Sequence, residues 1–222
     1  MGAALALSER GRGRTGPNPN VGCVLVKDGI IIGRGWTQPG GRPHAEAMAL
    51  DQAGAAANGA TAYVTLEPCA HDSERGPACA DSLIAAGISR LVYALGDPDP
   101  RTNGKGAHRL RAADIHVAEL PSAKAAARRA MAPWLSVMER GRAFVTLKLA
   151  TSLDGCIARA DGESQWITGN AARAHGHLER ARHDMILVGR GTFESDTPRL
   201  DVRLAGLESE SPRRALLTSG AA

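Results

Sequence analysis

The sequence predicts an α/β protein made of two successive α/β units. Short apolar runs alternate with segments rich in alanine and leucine, and glycine or Asp-Gly turns separate them. The same alternation starts again after Gly141. Because strands that alternate with helices favour layered, partly parallel sheets, we expect one domain at 1–141 and a second at 142–222.

The first unit is predicted to begin with a short helix and a β-hairpin. The hairpin has Asp28-Gly29 in its turn, a pair that tolerates the left-handed backbone of two-residue turns. Hydrophobic patterning then indicates the other elements in order. The unit comprises a helix at 3–10, strands at 21–26 and 30–33, a helix at 44–57, a strand at 61–66, a helix at 78–86, strands at 90–95 and 115–117, and a helical segment at 121–138.

The second unit has fewer predicted elements. They are a strong strand at 144–150, a helix at 169–182, a buried strand at 185–188 and a short strand at 215–217. These strands do not make a complete sheet, so we expect an incomplete second domain.

Composition restricts the class of protein. The chain has 222 residues, of which 43% are hydrophobic, and no apolar run approaches the ~18 residues that span a bilayer. Four irregularly spaced cysteines without an apolar N-terminal stretch indicate a reducing, cytoplasmic location. The net charge of +4 fits a phosphorylated ligand, whereas an aromatic content of 3% offers few stacking platforms for nucleic acid.

One histidine and two cysteines have the character of a catalytic zinc site. His44 and Glu46 open one predicted helix, Cys69 follows a strand, and Cys79 comes ten positions later. Three soft ligands leave the fourth zinc position for water, and Glu46 supplies a nearby carboxylate that is not a ligand. A closed structural site would need a fourth ligand, for which His71, Cys23 and Cys156 are the available residue types.

The spacing of His44 and Glu46 sets a geometric requirement. In an ideal helix, residues i and i+2 point about 200° apart, so both side chains face one point only if the helix start bends or the ligand reaches. With that geometry, zinc lowers the pKa of a bound water, and Glu46 takes its proton and returns it to a leaving amine. Such a site deaminates a ring that carries an exocyclic amine. The pattern resembles the H-x-E and P-C-x-x-C signature of zinc deaminases, with a longer spacing between the cysteines.

Longer motifs resemble a particular family. The deaminase half of the bifunctional deaminase-reductase family of riboflavin biosynthesis is similar to the segments 17–24, 43–46 and 63–69, and its reductase half is similar to 147–155 and 162–168. This resemblance implies a three-layer α/β/α cytidine-deaminase-like domain followed by an incomplete dihydrofolate-reductase-like α/β domain. The family's reductase domain continues well beyond residue 222, so we expect a truncated reductase part whose activity depends on completion.

The resemblance also implies substrates, cofactors and residue roles. The deaminase part would act on a phosphoribosylated diaminopyrimidine, and the reductase part would use NADPH to reduce the ribosyl to a ribityl chain. The implied zinc ligands are His44, Cys69 and Cys79, with Glu46 as the proton shuttle and Asn18, His71 and Arg75 as deaminase substrate contacts. The implied NADPH contacts are Ala150, Trp166, Thr192 and Asp196, and the implied reductase substrate contacts are Ser164, Arg180, Leu200 and Arg203.

Two alternatives remain from the sequence. A zinc deaminase of cytidine, deoxycytidylate or tRNA adenosine would share the metal motif, but it has no reason to carry the motifs at 148–155 and 162–168. A binding module in which zinc only stabilises the fold would not need Glu46. We expect a small-molecule substrate, a homo-oligomer, and neither a nucleic acid nor a membrane as partner.

Overall fold

The computed structural model describes residues 1–71 and 73–220, in two compact units, Met1–Phe144 and Val145–Ala222. The predicted domain boundary lies three residues before the division between these units. Asp72 of the predicted inter-cysteine loop and the last two residues of the predicted second domain lie outside the described residues.

The first unit is built on a mixed five-stranded sheet of order β2-β1-β3-β4-β5. Its strands are β1 (Gly22–Lys27), β2 (Ile30–Trp36), β3 (Thr61–Val64), β4 (Arg90–Tyr93) and β5 (His116–Glu119). Strand β1 is antiparallel to β2 and β3, whereas β3, β4 and β5 run parallel. The predicted partly parallel sheet is confirmed, and Asp28 and Gly29 both adopt positive φ in the hairpin turn.

Helices cover both faces of this sheet. They are α1 (Gly2–Ser8), α2 (Ala45–Ala53), α3 (Cys79–Ala85), α4 (Lys105–Ala112), α5 (Pro121–Ala130) and α6 (Ala132–Arg140). Gly22 approaches α1, whereas Gly35, which lies opposite Cys23, approaches α2. Adjacent strand residues point to opposite faces, so α1 and α2 lie on opposite sides and the unit has three layers.

Two helical features differ from the sequence prediction. The predicted helical segment at 121–138 is two helices separated at Met131, because Pro133 lacks an N–H and is accommodated in the first turn of α6. Helix α4 was not predicted, since only Ala107 and Leu110 give its polar sequence an apolar periodicity.

A buried carboxylate holds α4 in place. Glu67, which is 3% exposed, follows β3, and its side chain accepts hydrogen bonds from the backbone N–H groups of Asp97, Gly104 and Ala107 at 3.3, 3.0 and 3.0 Å. These bonds satisfy donors in the loop after β4 and at the start of α4 that would otherwise be buried without a partner. The loop after β4 is therefore fixed beside the segment that carries Cys69.

The second unit contains two helices and two parallel strands among its described residues. They are α7 (Asn170–Ala181), β6 (Met185–Gly189), α8 (Arg190–Asp196) and β7 (Arg213–Leu217), with Met185 paired to Arg213. The predicted helix at 169–182 and the predicted strands at 185–188 and 215–217 are confirmed. Helix α8 was not predicted.

The predicted strand at 144–150 is wrong. In the part of the chain that the structure describes, this segment pairs with no other strand, and Val145, Leu147 and Leu149 are 83%, 78% and 65% exposed. An apolar, β-branched sequence favours a strand, but a stable strand also needs a neighbour for its backbone N–H and C=O groups.

The lengths and the apolar character of the helices bear on whether the chain can cross a membrane. Of those formed by residues 1–71 and 73–220, none combines the length and the apolar character needed to cross a membrane.

We predict that Gly35→Ala destabilises the first unit by about 1–3 kcal/mol. A Cβ at position 35 would lie 2.0 Å from the carbonyl oxygen of Ala45, so α2 would have to move away from β2. Denaturant unfolding measures the change. Gly2→Ala is the matched control, because a Cβ there meets nothing within 4 Å and should leave the free energy of unfolding unchanged or slightly higher.

We also predict that Glu67→Ala lowers the free energy of unfolding by at least about 2 kcal/mol, because three backbone donors, two of them buried, lose a charged acceptor. Glu139→Ala serves as the control, since its exposed ion pair with Arg128 is worth at most about 1 kcal/mol. Equal losses of stability in the two variants would contradict the role assigned to Glu67.

Candidate metal centre

His44 lies immediately before helix α2. It is the N-cap residue, with an extended backbone (φ −71°, ψ 161°), and α2 begins at Ala45. Since His44 is outside the helix, the 200° separation of an ideal helix does not apply to it and Glu46. The helix start thus meets the geometric requirement that the sequence imposed.

The two cysteines reach the same place from different elements. Cys69 lies after β3, and Cys79 is the first residue of α3. The backbone N–H of Cys79 donates to Cys69 Sγ at 3.2 Å, and the N–H of Ala80 donates to the carbonyl oxygen of Cys69 at 3.1 Å. The start of α3 is therefore tied directly to the Cys69 segment.

The three potential ligand atoms lie within 4.8 Å of one another. His44 Nδ1 is 3.2 Å from Cys79 Sγ and 3.8 Å from Cys69 Sγ. A tetrahedral zinc ion with Zn–S near ~2.3 Å and Zn–N near ~2.0 Å separates such donors by roughly 3.5–3.8 Å, so the donor set fits zinc. Among the described residues, no further histidine, cysteine or carboxylate joins this group, and neither His71 nor Cys23 is a fourth member.

The thiols share their protons unequally. A hydrogen bond from Cys79 lowers the pKa of Cys69, whereas the same bond raises the pKa of Cys79. A lowered pKa favours the thiolate form of Cys69, and a thiolate is the form that ligates a metal.

Glu46 is buried beside the three donors without belonging to their group. The residue is 4% exposed. Burial raises the pKa of Glu46, and the nearby His44 opposes that rise. A carboxyl group with a raised pKa is suited to carrying a proton between two reacting atoms.

Asn18 and His71 lie at the edge of the centre. Asn18 Nδ2 donates to the carbonyl oxygen of Gly41 at 2.9 Å and is 3.1 Å from His44 Nε2, so Nδ1 is the ring nitrogen that faces the thiols. His71 Nδ1 lies 3.4 Å from the hydroxyl of Thr102, in the loop after β4. Arg75, in contrast, extends outward and donates from Nη1 to the carbonyl oxygen of Gly40 at 3.1 Å.

The loop after β4 contributes acidic residues that sequence reasoning missed. Asp97 is 7% exposed, and burial raises its pKa to about 7. Its Oδ1 accepts from the N–H of Asp99 at 2.8 Å, and Asp99 forms an ion pair with Arg101. The parallel pairing of β3 and β4 could have located these acidic residues, because segments that follow parallel strands meet at one edge of a sheet.

In the second unit, the implied reductase residues fall into separate groups. Arg180 Nη1 donates to the carbonyl oxygen of Asp201 at 2.9 Å, the N–H of Arg203 donates to His177 Nδ1 at 3.2 Å, and Arg203 forms an ion pair with Asp201. Leu200, next to Asp201, is buried with φ +56°. Sequence reasoning missed His177 and Asp201, which have no distinctive motif.

The implied NADPH contacts are dispersed along the second unit. Thr192 and Asp196 are one turn apart in α8, and Ala150 is partly buried. Trp166 is 71% exposed, and the Arg173 guanidinium lies 4.5 Å from its ring centre. Ser164 is exposed.

Two protein families match successive parts of the chain. The family described as the cytidine and deoxycytidylate deaminase zinc-binding region matches residues 1–95, and the RibD C-terminal domain matches residues 143–222. The first match contains all three ligand residues and Glu46.

Whole-chain relatives combine both parts. The riboflavin biosynthesis protein RibD of Escherichia coli is 48% identical over 95% of this chain, and that of Aquifex aeolicus is 43% identical over 96%. The chain spans 57% and 59% of the lengths of these two relatives.

Two solved structures resemble this chain over nearly its whole length. A diaminohydroxyphosphoribosylaminopyrimidine deaminase/5-amino-6-(5-phosphoribosylamino)uracil reductase from Thermotoga maritima has a TM-score of 0.89 at 38% identity, covering 98% of this chain and 62% of that one. Acinetobacter baumannii RibD has a TM-score of 0.84 at 44% identity, covering 97% of this chain and 61% of its own. With a match to a zinc-binding deaminase region followed by a match to the RibD C-terminal domain, the chain is similar over nearly its whole length to RibD riboflavin-biosynthesis proteins.

Proposed function

We propose that this chain catalyses hydrolytic deamination of a phosphoribosylated diaminopyrimidine in riboflavin biosynthesis. The substrate would be 2,5-diamino-6-(5-phosphoribosylamino)pyrimidin-4-one and the product 5-amino-6-(5-phosphoribosylamino)uracil. The observation that carries the proposal is a three-donor group, His44, Cys69 and Cys79, with buried Glu46 beside it and outside it. In this proposal residues 1–141 form the deaminase domain, and 142–222 form the N-terminal part of a reductase domain.

The three ligand residues and Glu46 have different roles in this proposal. His44, Cys69 and Cys79 would hold a zinc ion, whose Lewis acidity would make water a nucleophile near neutral pH. Glu46 takes a proton from the attacking water and returns it to the departing amine, and burial keeps this proton from bulk water. Asn18 fixes the His44 ring through Nε2, and His71 and Arg75 contact the substrate.

For the second unit, we propose NADPH-dependent reduction of the ribosyl to a ribityl chain when the domain is complete. NADPH supplies a hydride. The residues that would hold it are Ala150, Trp166, Thr192 and Asp196, and the exposed Trp166 ring beside Arg173 suits a cofactor with aromatic rings and phosphates. The residues that would hold the substrate are Ser164, Arg180, Leu200 and Arg203.

The two alternative functions are supported less well. A deaminase of cytidine, deoxycytidylate or tRNA adenosine does not account for the match of residues 143–222 to the RibD C-terminal domain. A zinc-stabilised binding module does not account for a buried carboxyl group beside a group of only three ligands.

We further propose a cytoplasmic homo-oligomer. The four cysteines are all free, as in a reducing compartment. The exposed apolar side chains of Val145, Leu147 and Leu149 offer surface that association can cover.

We predict that Cys69→Ala abolishes stoichiometric zinc binding, because two remaining donors hold zinc poorly. Cys23→Ala is the matched control: Cys23 is also buried but lies outside the ligand group, so this variant should keep one zinc per chain. Elemental analysis after gel filtration measures the zinc content. Stoichiometric zinc in Cys69→Ala, or its loss in Cys23→Ala, would contradict the ligand assignment.

The test of function is ammonia release from the diaminopyrimidine substrate by zinc-loaded protein, with NADPH absorbance followed in the same tube. Wild type should release ammonia, and Glu46→Gln should keep zinc and fold but lose at least about a hundredfold in kcat, because nothing takes the proton. Turnover retained in Glu46→Gln would exclude the proton-shuttle mechanism. Wild-type protein that releases ammonia from cytidine instead would overturn the proposed substrate.

A further inference from the structure

Two arginines from different segments meet beside the metal centre. Arg42 Nη1 donates to the carbonyl oxygen of Arg75 at 3.3 Å, and Arg75 Nη1 donates to the carbonyl oxygen of Gly40 at 3.1 Å. These reciprocal bonds cross-link the segment before His44 to the turn before Cys79. The surface formed by these two segments, with the side chains of Arg42 and Arg75, is called the rim below.

Both guanidinium groups keep unused donors. Each has five N–H donors, and the described residues accept only one hydrogen bond from each. Arg42 Nε is shielded from solvent and has no hydrogen-bond partner among the described residues. Buried donors without partners are rare, and each calls for an explanation such as a functional role or a bound water or ion.

The described residues do not neutralise this pair. No carboxylate among residues 1–71 and 73–220 lies within ion-pair distance of Arg42 or Arg75, and Glu74, in the same turn as Arg75, forms no ion pair with either. An anion bound at this rim would satisfy their free donors with charge-assisted hydrogen bonds.

The backbone around the pair leaves little freedom. Gly76 has φ +135°, and a Cβ there would lie 3.0 Å from Arg42 Nη1. On the other side, a Cβ at Gly41 would lie 2.8 Å from the side chain of Asn18, which also contacts His44. The rim is therefore connected through Asn18 to the metal centre rather than being an isolated surface patch.

We propose that Arg42 and Arg75 together clamp the phosphate monoester of the deaminase substrate. Arginine suits this task because its planar guanidinium group can donate two parallel hydrogen bonds to phosphate oxygens, and because arginine stays charged at any working pH. The resemblance to the family implies only Arg75 in this role, and the geometry adds Arg42. The inference rests on the proposed function for the substrate's identity, but the clamp itself recognises any accessible sugar phosphate.

Binding of ribose 5-phosphate to the zinc-loaded full chain, measured by calorimetry against ribose, tests the clamp without requiring turnover. Wild type should bind the phosphate ester and not ribose. Arg42→Gln and Arg75→Gln should each weaken binding about tenfold to hundredfold, because each removes a charged hydrogen-bond donor. Arg42→Lys, which keeps the charge but loses the fork, should fall between wild type and Arg42→Gln, and it also guards against a folding defect in the neutral variant.

Arg90→Gln is the matched control. Arg90 begins β4, at the opposite end of the parallel β3-β4 pair from Cys69, and the same charge is removed there. Binding unchanged in Arg90→Gln but weakened in both rim variants supports the clamp. Absence of ribose 5-phosphate binding in wild type, or wild-type affinity in Arg42→Gln, overturns it.

Kinetics separate this inference from the proposed function. If wild type deaminates the diaminopyrimidine, Arg42→Gln should raise KM for the phosphorylated substrate and leave KM for its dephosphorylated form unchanged. If wild type releases no ammonia but still binds ribose 5-phosphate through Arg42, the proposed reaction fails and the clamp stands.

Discussion

The close approach of helix α2 to strand β2 is the constraint on which the metal centre depends. Gly33 and Gly35 have no side chains, and a Cβ at either would lie 2.2 or 2.0 Å from a carbonyl oxygen of α2. This contact sets the position of the helix start, and the helix start places His44 just before α2 and Glu46 within its first turn. A ligand and a proton carrier are thus fixed by the packing of one helix on one strand.

The opposite wall of the centre is fixed by buried polar bonds. Glu67 joins the Cys69 segment to the loop after β4, and Cys69 in turn accepts from the start of α3. Because each of these groups satisfies the other's hydrogen bonds, none can move without exposing an unpaired buried atom. The three donors can therefore be pre-organised for a metal by the protein alone, in agreement with their mutual distances.

Sequence reasoning could locate the residues whose side chains are typical metal ligands. His44, Cys69 and Cys79 lie in short, recognisable motifs, and the structure brings them together. Glu67, Asp97 and Arg42 escaped because their importance arises from contacts between segments 30 or more positions apart. The prediction of a strand at 144–150 was wrong for a related reason. Local propensity depends on one segment alone, whereas a stable strand also needs a neighbouring strand to bond with.

Carboxyl groups and guanidinium groups lie on different sides of the metal centre. Glu46, Glu67 and Asp97 are buried carboxyl groups on the inner side, and Arg42 and Arg75 are guanidinium groups on the rim. Burial raises the pKa of Asp97 to about 7, so its carboxyl group carries its negative charge less readily than an exposed one. Under the proposed function, a substrate with a neutral ring and an anionic phosphate would have one favourable orientation, with the ring toward Glu46 and the phosphate toward the arginines.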